Sequence, residues 1–155
     1  MQQISVKDAS SRRCTLIRGP PGTGKTHTAC AIIERWMALI DGCRILVVTQ
    51  SNAAALNIQE RLQKFGLPSV RVGMQIPPEE LLSQPHFQEL LDAKELKPLR
   101  DAAARQEEVH ASVTIPLLQK AAKLSQVVVM TCISSGNMSL INSSFHRVLL
   151  DEAAQ

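Results

Sequence analysis

A chain of 155 residues that is 45% apolar can bury one sizeable core and not two. No apolar run approaches the roughly 18 residues of a membrane span, and the Met1-Gln2-Gln3 start lacks the charged-then-apolar layout of a secretion signal. The net charge of +3 is unevenly spread: residues 73–124 hold six Lys/Arg against eight Asp/Glu, and the remainder eleven against six.

Gln2 to Ser10 reads as a short helix with Ile4 and Ala9 facing inward, and Arg12-Arg13 lead on from it. Cys14-Thr15-Leu16-Ile17 reads as a short buried strand. It enters Gly19-Pro20-Pro21-Gly22-Thr23-Gly24-Lys25-Thr26, the pattern G-x-x-x-x-G-K-[ST]. In the helix that follows, Ala29, Ile32, Ile33, Trp36 and Ile40 recur at three- and four-residue spacing, and Gly42 ends it. Ile45-Leu46-Val47-Val48 is a short β-branched run, as a parallel strand covered on both sides should be. Ser51 or Asn52 can cap the next helix, whose Ala55, Ile58, Leu62 and Phe65 share a face before Gly66 stops it. Ser69-Val70-Arg71-Val72 reads as a further short strand.

From Gly73 to Leu124 the character changes, with Pro77, Pro78, Pro85, Pro98 and Pro116 expected to cut the segment into short helical pieces. Val127-Val128-Val129-Met130 resumes the buried-strand pattern. A polar loop follows Thr131 to Gly136, and Arg147-Val148-Leu149-Leu150 forms a last strand delivering Asp151 and Glu152 at its carboxyl end. Strands alternating with helices indicate an α/β fold, a parallel sheet with helices on both faces, interrupted by a helical insertion. The expected divisions are 1–72, the insertion 73–124, and the resumed domain 125–155. Cys14, Cys30, Cys43 and Cys132 form no C-x-x-C pair and sit beside apolar residues. Buried reduced thiols, and with them a cytoplasmic or nuclear setting, are expected.

The glycine-rich turn points successive backbone N–H groups at phosphate oxygens, lets Lys25 reach the β and γ phosphates, and offers the Thr26 hydroxyl to Mg²⁺. A strand-end carboxylate is what such a site needs beside its metal, which assigns Asp151 to Mg²⁺ and leaves Glu152 to polarise an attacking water. Taken without the turn, the same pair reads equally as a solvated strand end. The basic remainder suits a polyanion or reflects ordinary surface scatter, and three Phe, one Trp and no Tyr leave little for base stacking.

Together, the Gly19–Thr26 string GPPGTGKT, the ending DEAAQ at Asp151–Gln155, Thr49-Gln50-Ser51-Asn52 and Thr131-Cys132-Ile133-Ser134-Ser135-Gly136 resemble the motifs of superfamily 1 helicases of the up-frameshift (nonsense-mediated decay) type. The first string alone also suits AAA+ ATPases; Gln155 and the Ser51-Asn52 pair argue for the helicases. The resemblance implies a RecA-like P-loop NTPase domain, incomplete here, that binds ATP and Mg²⁺ and works on single-stranded RNA or DNA. It implies that Gly19, Pro20, Pro21, Gly22, Thr23, Gly24, Lys25 and Thr26 hold the phosphates, and that Gln155 links nucleotide state to nucleic acid. Gln2, seventeen residues before Gly19, stands where the family reads the adenine edge. Ser51, Asn52 and Thr131 would contact a nucleic-acid backbone, although each can equally cap a helix or tie a loop. The family's second RecA-like domain and its arginine finger lie beyond Gln155, so the expectation is a helicase fragment or, alternatively, an inactive nucleotide-binding or protein-interaction remnant.

Overall fold

In a computed structural model of the chain, residues 2–20, 22–73, 76–137 and 143–152 are described, without the side chains of Gln2 and Gln3. The β-branched runs form the strands β1 (Ile45–Thr49), β2 (Ser69–Arg71), β3 (Val127–Thr131) and β4 (Arg147–Leu150). All pair in parallel in the order β2-β3-β1-β4, with Ile45 opposite Val127 and Arg147, and Ser69 opposite Val127. Parallel strands need crossovers, and helices supply them.

One face is covered by α1 (Gln2–Ser11), α2 (Lys25–Leu39) and α3 (Asn52–Lys64). Here Cys30, Ile33, Trp36, Ala55, Ile58 and Leu62 pack on Ile45, Val47, Val127 and Val129. Trp36 donates its indole N–H to the Ala9 carbonyl at 3.1 Å, which ties α1 to α2. Ile4, expected inward, is 66% exposed, because Val6 and Ala9 carry the α1 contact instead.

The other face packs under α4 (Pro78–Leu82), α5 (Pro85–Glu89), α6 (Ala93–Arg105) and α7 (Ala111–Leu124). Leu81, Phe87, Leu96, Leu99 and Leu118 meet Val70, Val128 and Met130 there. Pro78 and Pro85 open their helices, whereas Pro98 and Pro116 lie inside α6 and α7 rather than ending them. Both are exposed, as are Lys94 and Ser112 four residues earlier, so water can take the carbonyls that proline leaves unbonded. These helices do not reach β4, where Val148 and Leu150 stay 59% and 50% exposed.

Cys14–Ile17 differs from expectation. It joins no ladder, and Leu16 is 71% exposed. A strand exists only by pairing; β1 and β3 are flanked on both sides, and the outer edge of β4 carries no partner among the described residues. Cys14 and Cys132 are accordingly exposed, and only Cys30 and Cys43 are buried; all four are free thiols.

A buried charge joins the two layers. Arg71 is 2% exposed and pairs with Glu80 at the start of α4. Gln84 accepts from the Arg71 N–H at 2.8 Å and from Gln59 Nε2 at 2.7 Å, and donates to the Arg71 carbonyl at 3.2 Å. Arg71, Gln59 and Gln84 so find partners in one another and in Glu80, as a low-dielectric interior demands. No helix among the described residues is long and apolar enough to cross a membrane.

Candidate nucleotide and nucleic-acid site

The turn before α2 owes its shape to two glycines. Gly22 and Gly24 adopt φ of 79° and 81°, the left-handed region closed to most side chains, and Gly24 caps a helix that starts at Lys25. Pro21 lies outside the described residues. Thr23 Oγ1 donates to the Pro20 carbonyl at 2.8 Å, and a Cβ on Gly19 would sit 2.8 Å from that same hydroxyl oxygen. A side chain at Gly19 would therefore force the turn open. Lys25 is exposed, yet its ammonium is not idle: it donates to the carbonyls of Gly19 at 2.8 Å and Pro20 at 3.1 Å. The result is an anion-seeking helix N-terminus with a cation folded over it. Thr26 is half-buried at the second position of α2.

A second group forms at the carboxyl edge of the sheet. Thr49 stands in register with Thr131, and the Asp151 N–H continues the ladder past β4 by donating to the Val48 carbonyl at 2.9 Å. Ser51 caps α3, its hydroxyl oxygen accepting from the Ala54 N–H at 3.1 Å, and Asn52 is exposed beside it. Thr131 caps α8 (Cys132–Ser135): its oxygen accepts from the Ser134 N–H at 3.2 Å and its hydroxyl donates to Ser134 Oγ at 3.0 Å. Both hydroxyls therefore serve helix ends, while their elements aim the same edge as Asp151. Glu152 holds φ of 59°, with its N–H on Asp151 Oδ1 at 3.1 Å. A non-glycine residue in that region stores about 1–3 kcal/mol, and such residues cluster at working sites.

No hydrogen bond or ion pair joins Lys25 or Thr26 to Asp151 or Glu152. The first turn of α2 packs instead at the far end of α3, where His27 meets Phe65 edge-on at 5.0 Å between ring centroids. The thirteen residues of α3 put about 20 Å between that point and Ser51. The Cys14–Ile17 segment packs on the core only through Ile17 and joins no ladder, so no strand carries the turn to the carboxyl edge of the sheet. No cluster of three or more His, Cys, Asp or Glu able to hold a metal occurs among the described residues. Mg²⁺ at a nucleotide is held by few protein oxygens, and a threonine hydroxyl with one carboxylate is a donor set it accepts. The side chain of Gln2, whose backbone opens α1, and the whole of Gln155 lie outside the described residues.

Sequence reasoning missed the Arg71, Gln59, Gln84 and Glu80 set. Its members come from three stretches of the chain, so only the packing of α3 and of the α4–α5 segment on β2 brings them together.

The family model described as "AAA domain" matches residues 1–112. The chain is 29% identical to a Regulator of nonsense transcripts 1 homolog of Arabidopsis thaliana, over 99% of this chain and 13% of that protein. It is 31% identical to the ATP-dependent helicase NAM7 of Saccharomyces cerevisiae, over 99% and 17% respectively. A DNA polymerase alpha-associated DNA helicase A of Schizosaccharomyces pombe is 49% identical over 45% of this chain and 10% of its own length. The chain thus spans less than a fifth of these relatives, and the motif resemblance extends along nearly all of it.

Proposed function

Because the chain belongs to the AAA domain family, we propose that it is the phosphate-binding part of an ATP-dependent helicase motor acting on single-stranded RNA or DNA. The observation that carries this is the turn itself, two left-handed glycines feeding a helix whose first residue is an exposed lysine. Relatives named as helicases along 99% of the chain support it.

With ATP bound, Lys25 would exchange the carbonyls of Gly19 and Pro20 for charged β and γ phosphate oxygens, and the N–H groups of residues 22–26 would supply further donors to them. Thr26 and Asp151 would hold Mg²⁺, which would neutralise charge on the phosphates, once the turn has closed on the carboxyl edge of the sheet, since one ion takes its oxygens at about 2.1 Å. Glu152 orients the attacking water, being the carboxylate left free by that division. Ser51, Asn52 and Thr131 offer the carboxyl edge to a nucleic-acid backbone. The four helices α4–α7 act as an inserted helical unit. These roles require the turn to approach the carboxyl edge, because the two groups of residues do not touch in this structure.

The test is binding of a fluorescent ATP analogue, with and without Mg²⁺, to Lys25→Ala and to Asp151→Asn. Lys25→Ala should abolish binding without lowering the melting temperature. Asp151→Asn should remove the Mg²⁺ dependence. Normal binding by Lys25→Ala would remove the assignment.

The separation of turn and carboxylates favours a second reading, a nucleotide-binding module without hydrolysis. A facing arginine contributes about 10³ to 10⁵ in rate to phosphoryl transfer, and the resemblance assigns that role to no residue of this sequence. Steady-state phosphate release at background, unchanged by single-stranded RNA, supports this second reading for the chain alone.

A further inference from the structure

A cavity among the helices α4–α7 is used by none of these roles. It measures about 770 Å³ and opens between α4, α6 and the turn that leads to α7. Its floor is Ile76, Leu81 and Leu99, all buried, and its walls are the half-exposed Pro78, Ala103 and Val109. The rim is of one sign. Glu79, Glu107 and Glu108 are exposed around the mouth, and no lysine or arginine is among the described residues that line it. The smaller groove between α1 and α2, lined by Lys7 and Arg35, is the electrostatic opposite.

The mouth has a defined shape. Gln106 ends α6 at φ of 56°, and the Glu107 N–H donates back to the Ala102 carbonyl at 3.0 Å, so the chain is turned and Glu107 to Val109 are laid along the opening. Arg105 reaches Glu107 only at 3.9 Å, with both side chains more than 60% exposed, a surface pair worth under about 1 kcal/mol. Glu79 and Glu108 have no basic partner among the described residues.

We propose that this groove docks a basic amphipathic segment of a partner protein, which seats apolar side chains between Pro78, Ala103 and Val109 and sets lysines or arginines against the three carboxylates. Charge complementarity selects the occupant. The rim repels a phosphate backbone, and residues 73–124 are net acidic while the rest of the chain is net basic, so the nucleic-acid surface lies elsewhere. The apolar walls add what charge alone lacks, a place to bury side chains and exclude water. The proposal does not depend on hydrolysis or on nucleotide.

Fluorescence polarisation of a fluorescein-labelled Leu/Lys peptide of helical periodicity against the whole chain is the experiment. A Ser/Lys peptide of equal charge and a Leu/Glu peptide serve as probes of the two components. The Leu/Lys peptide should bind saturably, the Ser/Lys peptide about tenfold more weakly, and the Leu/Glu peptide not at all, since apolar burial and charge each contribute. Combined Glu79→Gln, Glu107→Gln and Glu108→Gln should weaken binding about tenfold with the melting curve unchanged, the three side chains being exposed. Glu108→Lys alone should act in the same direction. Lys25→Ala should leave peptide binding intact. Equal binding of the Ser/Lys peptide, indifference to the glutamate substitutions, or displacement by single-stranded RNA would overturn the proposal. So would a chain that is dimeric by light scattering and becomes monomeric in the triple variant, because a second copy would then be the occupant.

Discussion

Gln84→Ala should be among the most costly polar substitutions in the chain. Gln84 is 2% exposed and its amide makes three hydrogen bonds, two to the backbone of Arg71 and one to Gln59. Truncation deserts the Arg71 N–H, the Arg71 carbonyl and one Gln59 donor. An abandoned buried group costs about 1–3 kcal/mol, and a water entering the vacated space returns part of it, so about 2–4 kcal/mol is expected in total. Against a domain stability of about 5–15 kcal/mol that is a large fraction. For a chain of this length it lowers the melting temperature by roughly 5–15 °C. Urea unfolding followed through Trp36 fluorescence is the assay, with a lower midpoint and an unchanged slope as the expected result. Gln88→Ala, which removes a single bond from an exposed side chain to the Leu82 carbonyl, is the control and should stay within about 0.5 kcal/mol. If Gln84→Ala matched that control, the buried network would not hold α4 to the sheet.

Gln106→Gly should stabilise the chain by about 0.5–1 kcal/mol, since glycine enters the left-handed region at the end of α6 without strain; a lower urea midpoint would contradict this. Thiol titration of the native chain should count two fast cysteines, Cys14 and Cys132, and two that react only on unfolding; four fast thiols would place Cys30 and Cys43 wrongly. Burial pushes the Cys30 thiol up from 9.0 to about 11, against a weaker pull from Arg61. Its folded form resists ionisation, so the stability this contributes is whole below pH 9 and is lost as pH rises toward 11. Cys30→Ala should flatten that alkaline decline, and an unchanged pH profile would refute the assignment. In a protein carrying the remaining length of the relatives, Glu152→Gln should keep Mg-ATP binding and lose about 10² to 10⁴ in single-turnover hydrolysis; an unchanged rate would move the water-orienting role elsewhere.

The strands β1, β3 and β4 were legible because each is a run of β-branched and aliphatic residues, and the Ser51 cap because a hydroxyl before an apolar-periodic helix bonds locally. Cys14–Ile17 has the same local composition and fails, because laddering is decided by distant edges that composition does not encode. Pro98 and Pro116 mislead for a related reason: a proline's cost depends on whether the carbonyl it frees faces water, and exposure is a tertiary property. At the candidate site the glycine turn was readable residue by residue, since left-handed φ is a local demand. Its distance from Asp151 was not, being set by what α2 packs against, the His27 contact with Phe65 included.

The side chain of Gln84 also gives the sheet a direction of growth. Arg71 turns its N–H and carbonyl away from β3, and the Gln84 amide answers both as a neighbouring strand would. The β2 side is thereby closed by a single residue, without any strand being spent on it. The β4 side carries no such stopper among the described residues, and its outward Val148 and Leu150 are the side chains another strand or helix would cover. Any added strand, from the same polypeptide or from a misassembled neighbour, must therefore arrive beside Asp151, so that enlarging the sheet and walling in Asp151 and Glu152 become one event.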